Sequence, residues 1–200
     1  MKHPIRRGLA LACLVLAAAC APAPAPDATL PAMRWDHRPE AERWTLSTMN
    51  ALHTRGPSLL SVVPADIDSY CPAYAEADAT SRAAFWSGLF SAIAKYESTW
   101  NPKAKGGGGI YFGLLQILPA TARSVGCDPG KLLDGEVNLT CAVRIADRRV
   151  KVSDGTVASI TADWGPMHWA DKRAEMAAWT RAQSYCQPQP KSAFAALLKP

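Results

Sequence analysis

Residues 82 to 97, RAAFWSGLFSAIAKYE, place Phe85, Trp86, Leu89, Phe90 and Ile93 at i, i+3 and i+4 spacing. Large apolar side chains repeating in that way define one stripe of an α-helix, and any fold of this chain must bury it. The helix has a forced end. Pro102 disfavours helical backbone at Asn101, and the glycines at 106 to 109 cannot carry a helix further. Glu97 lies four residues after Ile93 and seven after Phe90, so it extends the stripe, while Lys95 and Ser98 fall off it. A carboxyl on a buried stripe is desolvated, and in the last turn it also meets the negative end of the helix dipole. Both effects favour the protonated form, the state a general acid needs to protonate a poor leaving group. The competing reading is a helix-end glutamate turned to solvent or paired with Lys103 or Lys105.

Around this helix the chain reads as mainly α. Residues 38 to 54 have helical spacing and stop at Gly56-Pro57, and residues 57 to 80, broken by Pro64 and Pro72, read as irregular. Pro119 near a start and Gly126 past an end bracket a short helix. Asp134 can cap a helix over 135 to 151, whose Leu139, Ala142, Val143, Ala146 and Val150 share one face. Further helical stretches run over 156 to 163 and 168 to 185, and alternating strand patterns never exceed a few residues. At 200 residues there is length for one domain with a real core.

The first residues have a different purpose. A basic start, MKHPIRRG, precedes the apolar run LALACLVLAAA, too short to span a bilayer as mature structure, and then small residues and Cys20. That is an export signal over 1–19, and LAAAC resembles the bacterial lipobox, whose cysteine is lipidated and becomes the first residue. An ordinary signal peptide with an incidental Cys20 is the alternative. The Pro/Ala-rich stretch after it favours lipidation, because it suits a tether, and the linker is assigned to residues 20–36. Removing Lys2, Arg6 and Arg7 with the signal lowers the formal charge from +5 to +2. No block of Lys and Arg with interleaved aromatics remains, so nucleic acid is not an expected partner. Cys71, Cys127, Cys141 and Cys186 stay with the exported chain, an even set that points to disulfides. Cys127–Cys141 is the local pair, which leaves Cys71–Cys186 to join the start of the domain to its end. No CxxC and no neighbouring His pair supports a metal site.

Three segments in order carry a resemblance: SAIAKYESTWNPKAK, YFGLLQILPATA and LLDGEVNLTCAVRIA. Together they resemble the soluble lytic transglycosylase domain, a relative of goose-type lysozyme, over about residues 82 to 166. The resemblance implies a lysozyme-like single domain over 81–187, with a helical N-terminal extension over 37–80 and a tail over 188–200. It implies that Glu97 is the general acid and base, with Ser98 beside it, Gln116 contacting the sugar N-acetyl region, and Gly113 letting backbone approach the cleft. The family cuts a muramyl bond without water, closing the muramic acid 6-hydroxyl onto C1 to leave a 1,6-anhydromuramyl end, so a second catalytic carboxylate is not needed. No cofactor or metal is implied.

The late segment TADWGP departs from the family's Ala-Tyr-Asn-Ala-Gly-Pro, putting Ala162 at the tyrosine and Asp163 at the asparagine. The tyrosine's role is then open to Tyr111 or Trp164, and Tyr111, Trp164 and Trp169 are candidates to stack on sugar faces. The expected partners are peptidoglycan glycan strands and a membrane reached through the lipid anchor, with a periplasmic, outer-membrane-anchored location. Two alternatives stay open: a hydrolysing muramidase with Asp163 as base, and a non-catalytic peptidoglycan-binding lipoprotein.

Overall fold

A computed structural model describes residues 30–188. The signal sequence, Cys20, the first part of the tether and the tail from 189 onward lie outside the described residues. The elements are α1 (Ala41–Arg55), α2 (Pro57–Ser61), α3 (Ala79–Ser98), β1 (Lys105–Gly106), β2 (Tyr111–Phe112), α4 (Pro119–Ser124), α5 (Gly135–Val150), α6 (Val157–Ile160) and α7 (Ala170–Arg181). Short 3-10 turns join several of them. Among the described residues no helix is long and apolar enough to cross a membrane.

The central helix α3 begins where the Asp78 carboxylate accepts the Ser81 N–H, a side-chain cap for an otherwise unsatisfied donor. It is buried on every side from Ala83 to Ala94. That corrects the expectation of a single apolar stripe. The face between the large residues carries Ser87, Gly88, Ser91 and Ala92, which are small enough for other segments to close over it. Ser91 Oγ donates to the Gly88 carbonyl at 2.6 Å and accepts the Arg34 N–H at 3.0 Å, so the buried hydroxyl both donates and accepts. A helix buried all round must sit at the centre of its domain.

The end of the expected linker and parts of the helical N-terminal extension pack into the core. Met33, Trp35, Trp44 and Leu59 belong to the same buried cluster as Phe85, Leu114, Leu139 and Met176. Met33 and Trp35, within the expected linker, are thus buried, and Trp44 and Leu59 bring the N-terminal extension into contact with the same core. α1 packs along α5, where a Cβ on Gly135 would lie 2.4 Å from the Trp44 indole nitrogen. Residues 57 to 80, expected to be irregular, contain α2 and two 3-10 turns. Both disulfides match the expected pairing, with Cα–Cα distances of 4.5 Å for Cys71–Cys186 and 5.9 Å for Cys127–Cys141.

The chain's entry into the core is fixed to α7. The Arg34 guanidinium pairs with both oxygens of Glu175, which also accepts from the Tyr96 hydroxyl at 2.9 Å and Lys95 Nζ at 3.2 Å. The Arg34 guanidinium foremost, with Tyr96 and Lys95 adding, holds the Glu175 carboxyl down at about 2.

Candidate active site

The cleft begins where α3 stops. Thr99 and Trp100 both take positive φ, 50° and 56°, immediately after the last turn. Non-glycine residues rarely hold that conformation, and a β-branched one least of all. Docking of the Trp100 indole accounts for its persistence here: its N–H donates to the Ser91 carbonyl at 2.9 Å, and its ring lies edge-on to His37 at 4.6 Å. The bend throws the chain into a hairpin of β1 and β2, paired antiparallel with Gly106 opposite Tyr111.

This hairpin and the segment 163–169 form the two walls of a cleft of about 400 Å³ lined by Glu97, Tyr111, Gln116, Asp163 and Trp169 among others. A recess of about 130 Å³ shares Tyr111, Gln116 and Asp163 with it, so the groove continues past the hairpin. Gly107 sits on the rim with φ +56°, and a Cβ there would fall 2.6 Å from the Tyr111 ring. A glycine at this place is what lets the tyrosine ring lie against the hairpin.

Glu97 is half-buried, and its carboxyl opens on the cleft. Burial pushes it up from 4.5 to about 7, while the N–H of Gly165, which donates to it, and the charge of Lys172 pull the other way. Neither lysine of the competing reading neutralises it: Lys103 Nζ donates to the Leu133 carbonyl at 3.0 Å, and Lys105 lies over the Phe112 ring. A carboxyl in this state can carry a proton at neutral pH and can also act as a base once it has given that proton away.

The other residues singled out from the sequence divide. Tyr111 is 37 % exposed and Gln116 reaches the cleft, its amide nitrogen donating to the Gly113 and Ala104 carbonyls at 2.8 and 3.3 Å. Gln116 also holds a φ of 44°, backbone strain stored at a cleft residue. Asp163 lines the cleft, but its two oxygens take the Arg149 Nε and Nη2 at 2.6 and 3.1 Å. Ser98, expected to support the site by hydrogen bonding beside Glu97, donates its hydroxyl to the Leu114 carbonyl at 2.8 Å, tying the end of α3 to the loop that carries Gln116. Gly113 is buried, and the backbone that approaches it belongs to the protein. A Cβ there would meet the Leu132 carbonyl at 2.2 Å and the Asn138 amide at 2.3 Å, and φ is +79°. Trp164 borders the recess, yet it is only 3 % exposed, donates its N–H to the Leu115 carbonyl at 3.0 Å and packs edge-on to Phe90. It supports the floor and presents no stacking face.

Residues not singled out also matter. Asn138 is fully buried, accepting from Leu115 N–H and donating to the Phe112 and Leu132 carbonyls, each at 2.9 Å. It holds the whole Gly113–Leu115 loop under Gln116. The signal was available, since an amide on the apolar face of α5 needs backbone partners. Tyr96, Gly165 and Pro166 complete the lining beside Trp169, which was singled out for stacking and stands 53 % exposed in the cleft wall. The Ala162 carbonyl meets His168 Nε2 at 2.9 Å.

Comparison with known proteins yields one family: the profile of the transglycosylase SLT domain matches residues 75–173. Among solved structures, two glutamine-for-glutamate variants of DslA superpose with TM-scores of 0.70 and 0.69 at 26 % and 25 % identity. Wild-type DslA in its form 2 gives a TM-score of 0.65 at 26 % identity, and all three alignments cover 80 % of this chain and 100 % of the other. A search of curated proteins finds no match.

Proposed function

The chain carries a transglycosylase SLT domain over residues 75–173, and on that premise we propose that it is a peptidoglycan lytic transglycosylase. It cuts the β-1,4 bond between N-acetylmuramic acid and N-acetylglucosamine and leaves a 1,6-anhydromuramyl end. The observation that carries this reading is Glu97, a half-buried carboxyl on a cleft wall held up at about 7 by burial. Protonated, it donates to the glycosidic oxygen as the bond from C1 breaks. Ionised, it takes the proton of the muramic acid 6-hydroxyl as that oxygen bonds to C1. One bond breaks, one forms, the Glu97 proton is restored and no water is consumed. The tethered hydroxyl replaces an external nucleophile, so the reaction gains the advantage of an intramolecular step.

Asp163 supports the same reading by its partner. A hydrolase of this type needs a second carboxylate to activate water or attack C1, and Asp163 is spanned by the Arg149 guanidinium. Gln116, with its amide nitrogen committed to backbone, turns its oxygen toward the rim glycines and suits a sugar amide N–H. Tyr111 and Trp169 supply aromatic surface. The test is a count of ends. Clearing of purified sacculi without a matching rise in reducing sugar is expected, because an anhydro end has no free hemiacetal; a rise equal to the bonds cut would mean hydrolysis.

Location follows from chemistry and the N-terminal sequence. The substrate lies outside the inner membrane, and we assign Cys20 as the acylated residue, with Pro-rich residues 21 to 32 as spacer. At about 3.1 Å per residue when extended, the spacer reaches a few tens of Å, which confines the cleft to a shell beside the membrane. Ala21, in place of an aspartate, resembles lipoproteins passed to the outer membrane. Cys20→Ala is expected to move the protein to the soluble periplasmic fraction with its activity on isolated sacculi intact. Retention in salt-washed membranes would place the anchor elsewhere.

A further inference from the structure

Lys172 stands near the start of α7, with its ammonium 3.5 Å above the centroid of the Trp169 ring and 5.2 Å from that of Tyr96. Both rings belong to residues of the cleft lining. They hold the cation by their faces, an attraction that fixes position without neutralising charge. Its neighbours are differently placed. Lys95, which also lies over the Tyr96 ring at 4.9 Å, shares Glu175 with Arg34, and Arg149 holds Asp163. Arg173 spends its guanidinium on the Met167 carbonyl at 2.7 Å. Among the described residues Lys172 has no ion pair.

A bare cation beside Glu97 works against the proposed chemistry, because its charge favours the ionised carboxyl. The other charges around Glu97 offer no relief: Asp163 and Glu175 are bound by Arg149 and Arg34, Lys95 is a second cation, and His168 faces the Ala162 carbonyl. A negative group arriving with the substrate would remove the conflict. Resting on the transglycosylase reading, we propose that Lys172, seated on Trp169 and Tyr96, forms an anion subsite for a carboxylate carried by the muramyl residue. That carboxylate is either the free lactyl group of a peptide-free strand or an acid of the stem peptide. Occupation of the subsite neutralises Lys172 and leaves Glu97 freer to keep its proton in the complex.

Binding separates this subsite from catalysis. Isothermal titration with the Glu97→Gln protein, with and without Lys172→Met, would use three glycan probes at low salt: peptide-free strands, strands with intact stem peptides, and peptide-free strands whose lactyl carboxyls are converted to methyl amides. Lys172→Met is expected to weaken carboxylate-bearing strands roughly fivefold to tenfold, with loss of their salt sensitivity and no change for amidated strands. Lys172→Arg should retain affinity. A loss confined to peptide-free strands identifies the lactyl group, and one confined to peptide-bearing strands identifies the stem. Equal weakening on amidated strands, or no change on any probe, overturns the subsite. An inactive wild type that still shows charge-dependent binding would instead remove the transglycosylase reading and leave the subsite standing.

Discussion

Glu97→Gln is expected to slow sacculus cleavage by about a thousandfold or more while making the folded protein more stable at alkaline pH. The first effect follows from the proposed role: a positioned acid and base contributes roughly 10² to 10⁴ in rate, and one carboxyl would serve both half-steps. The amide keeps shape and can still accept the Gly165 N–H, so packing is preserved. The second effect follows from burial. The folded carboxyl titrates near 7 against an ordinary 4.5, so the native state holds its proton more tightly than the unfolded chain. Stability contributed at this site is therefore greatest below pH 4.5, falls as pH rises to about 7, and is flat above that. At pH 8 the ionised side chain costs about 3 kcal/mol, which the amide does not incur. Urea unfolding of both proteins at pH 4 and pH 8 measures it: near-equal stability at pH 4 and a more stable variant at pH 8 are expected. A variant both active and unchanged in its pH dependence would remove Glu97 from the chemistry.

The second large effect concerns the frame. Cys71 and Cys186 are 115 residues apart, and both are buried. Joining positions that far apart removes much of the unfolded chain's freedom, so Cys71→Ala with Cys186→Ala is expected to cost about 4 kcal/mol or more. The Cys127–Cys141 bridge, with a separation of 14, should be worth about 3 kcal/mol on the same footing. The longer bridge ties the turn before α3 to the segment after α7, so it closes the shell around the central helix. Chemical unfolding of the two double-alanine variants should therefore order them with the 71/186 pair the weaker. Losses below 1 kcal/mol for that pair would show that α7 is held without the bridge.

What the sequence revealed depended on whether one local pattern was sufficient. The stop at Pro102, the Asp134 cap and the local pairing of Cys127 with Cys141 are each written in a few adjacent residues, and each stands in the structure: Asp134 accepts from the Glu136 and Val137 N–H groups. Glu97 was legible because helix periodicity and the forced helix end agree. Periodicity shows which face is most apolar, but it does not show that Ser87, Gly88 and Ser91 are also covered, since small residues read as a polar face until a partner closes on them. Met33 and Trp35 follow directly on a Pro/Ala-rich stretch, and only the tertiary packing shows that they are buried. Trp164 and Trp169 differ only in what surrounds them, one under Phe90 and the loop carbonyls, the other open to the cleft. Nothing local separates them. The pairing of Lys172 with two rings, and the service of Gly113 and Ser98 to the loop, are tertiary facts.

In the proposed reaction Glu97 cuts a muramyl bond with the sugar's own hydroxyl as the nucleophile. Mass spectrometry of the fragments released from purified sacculi by the wild type and by Glu97→Gln tests it most directly. The wild type is predicted to release muropeptides whose muramyl ends lack one water, and Glu97→Gln to release almost none. Fragments from the wild type carrying the full water at the muramyl end, or the same anhydro fragments from Glu97→Gln, would contradict it.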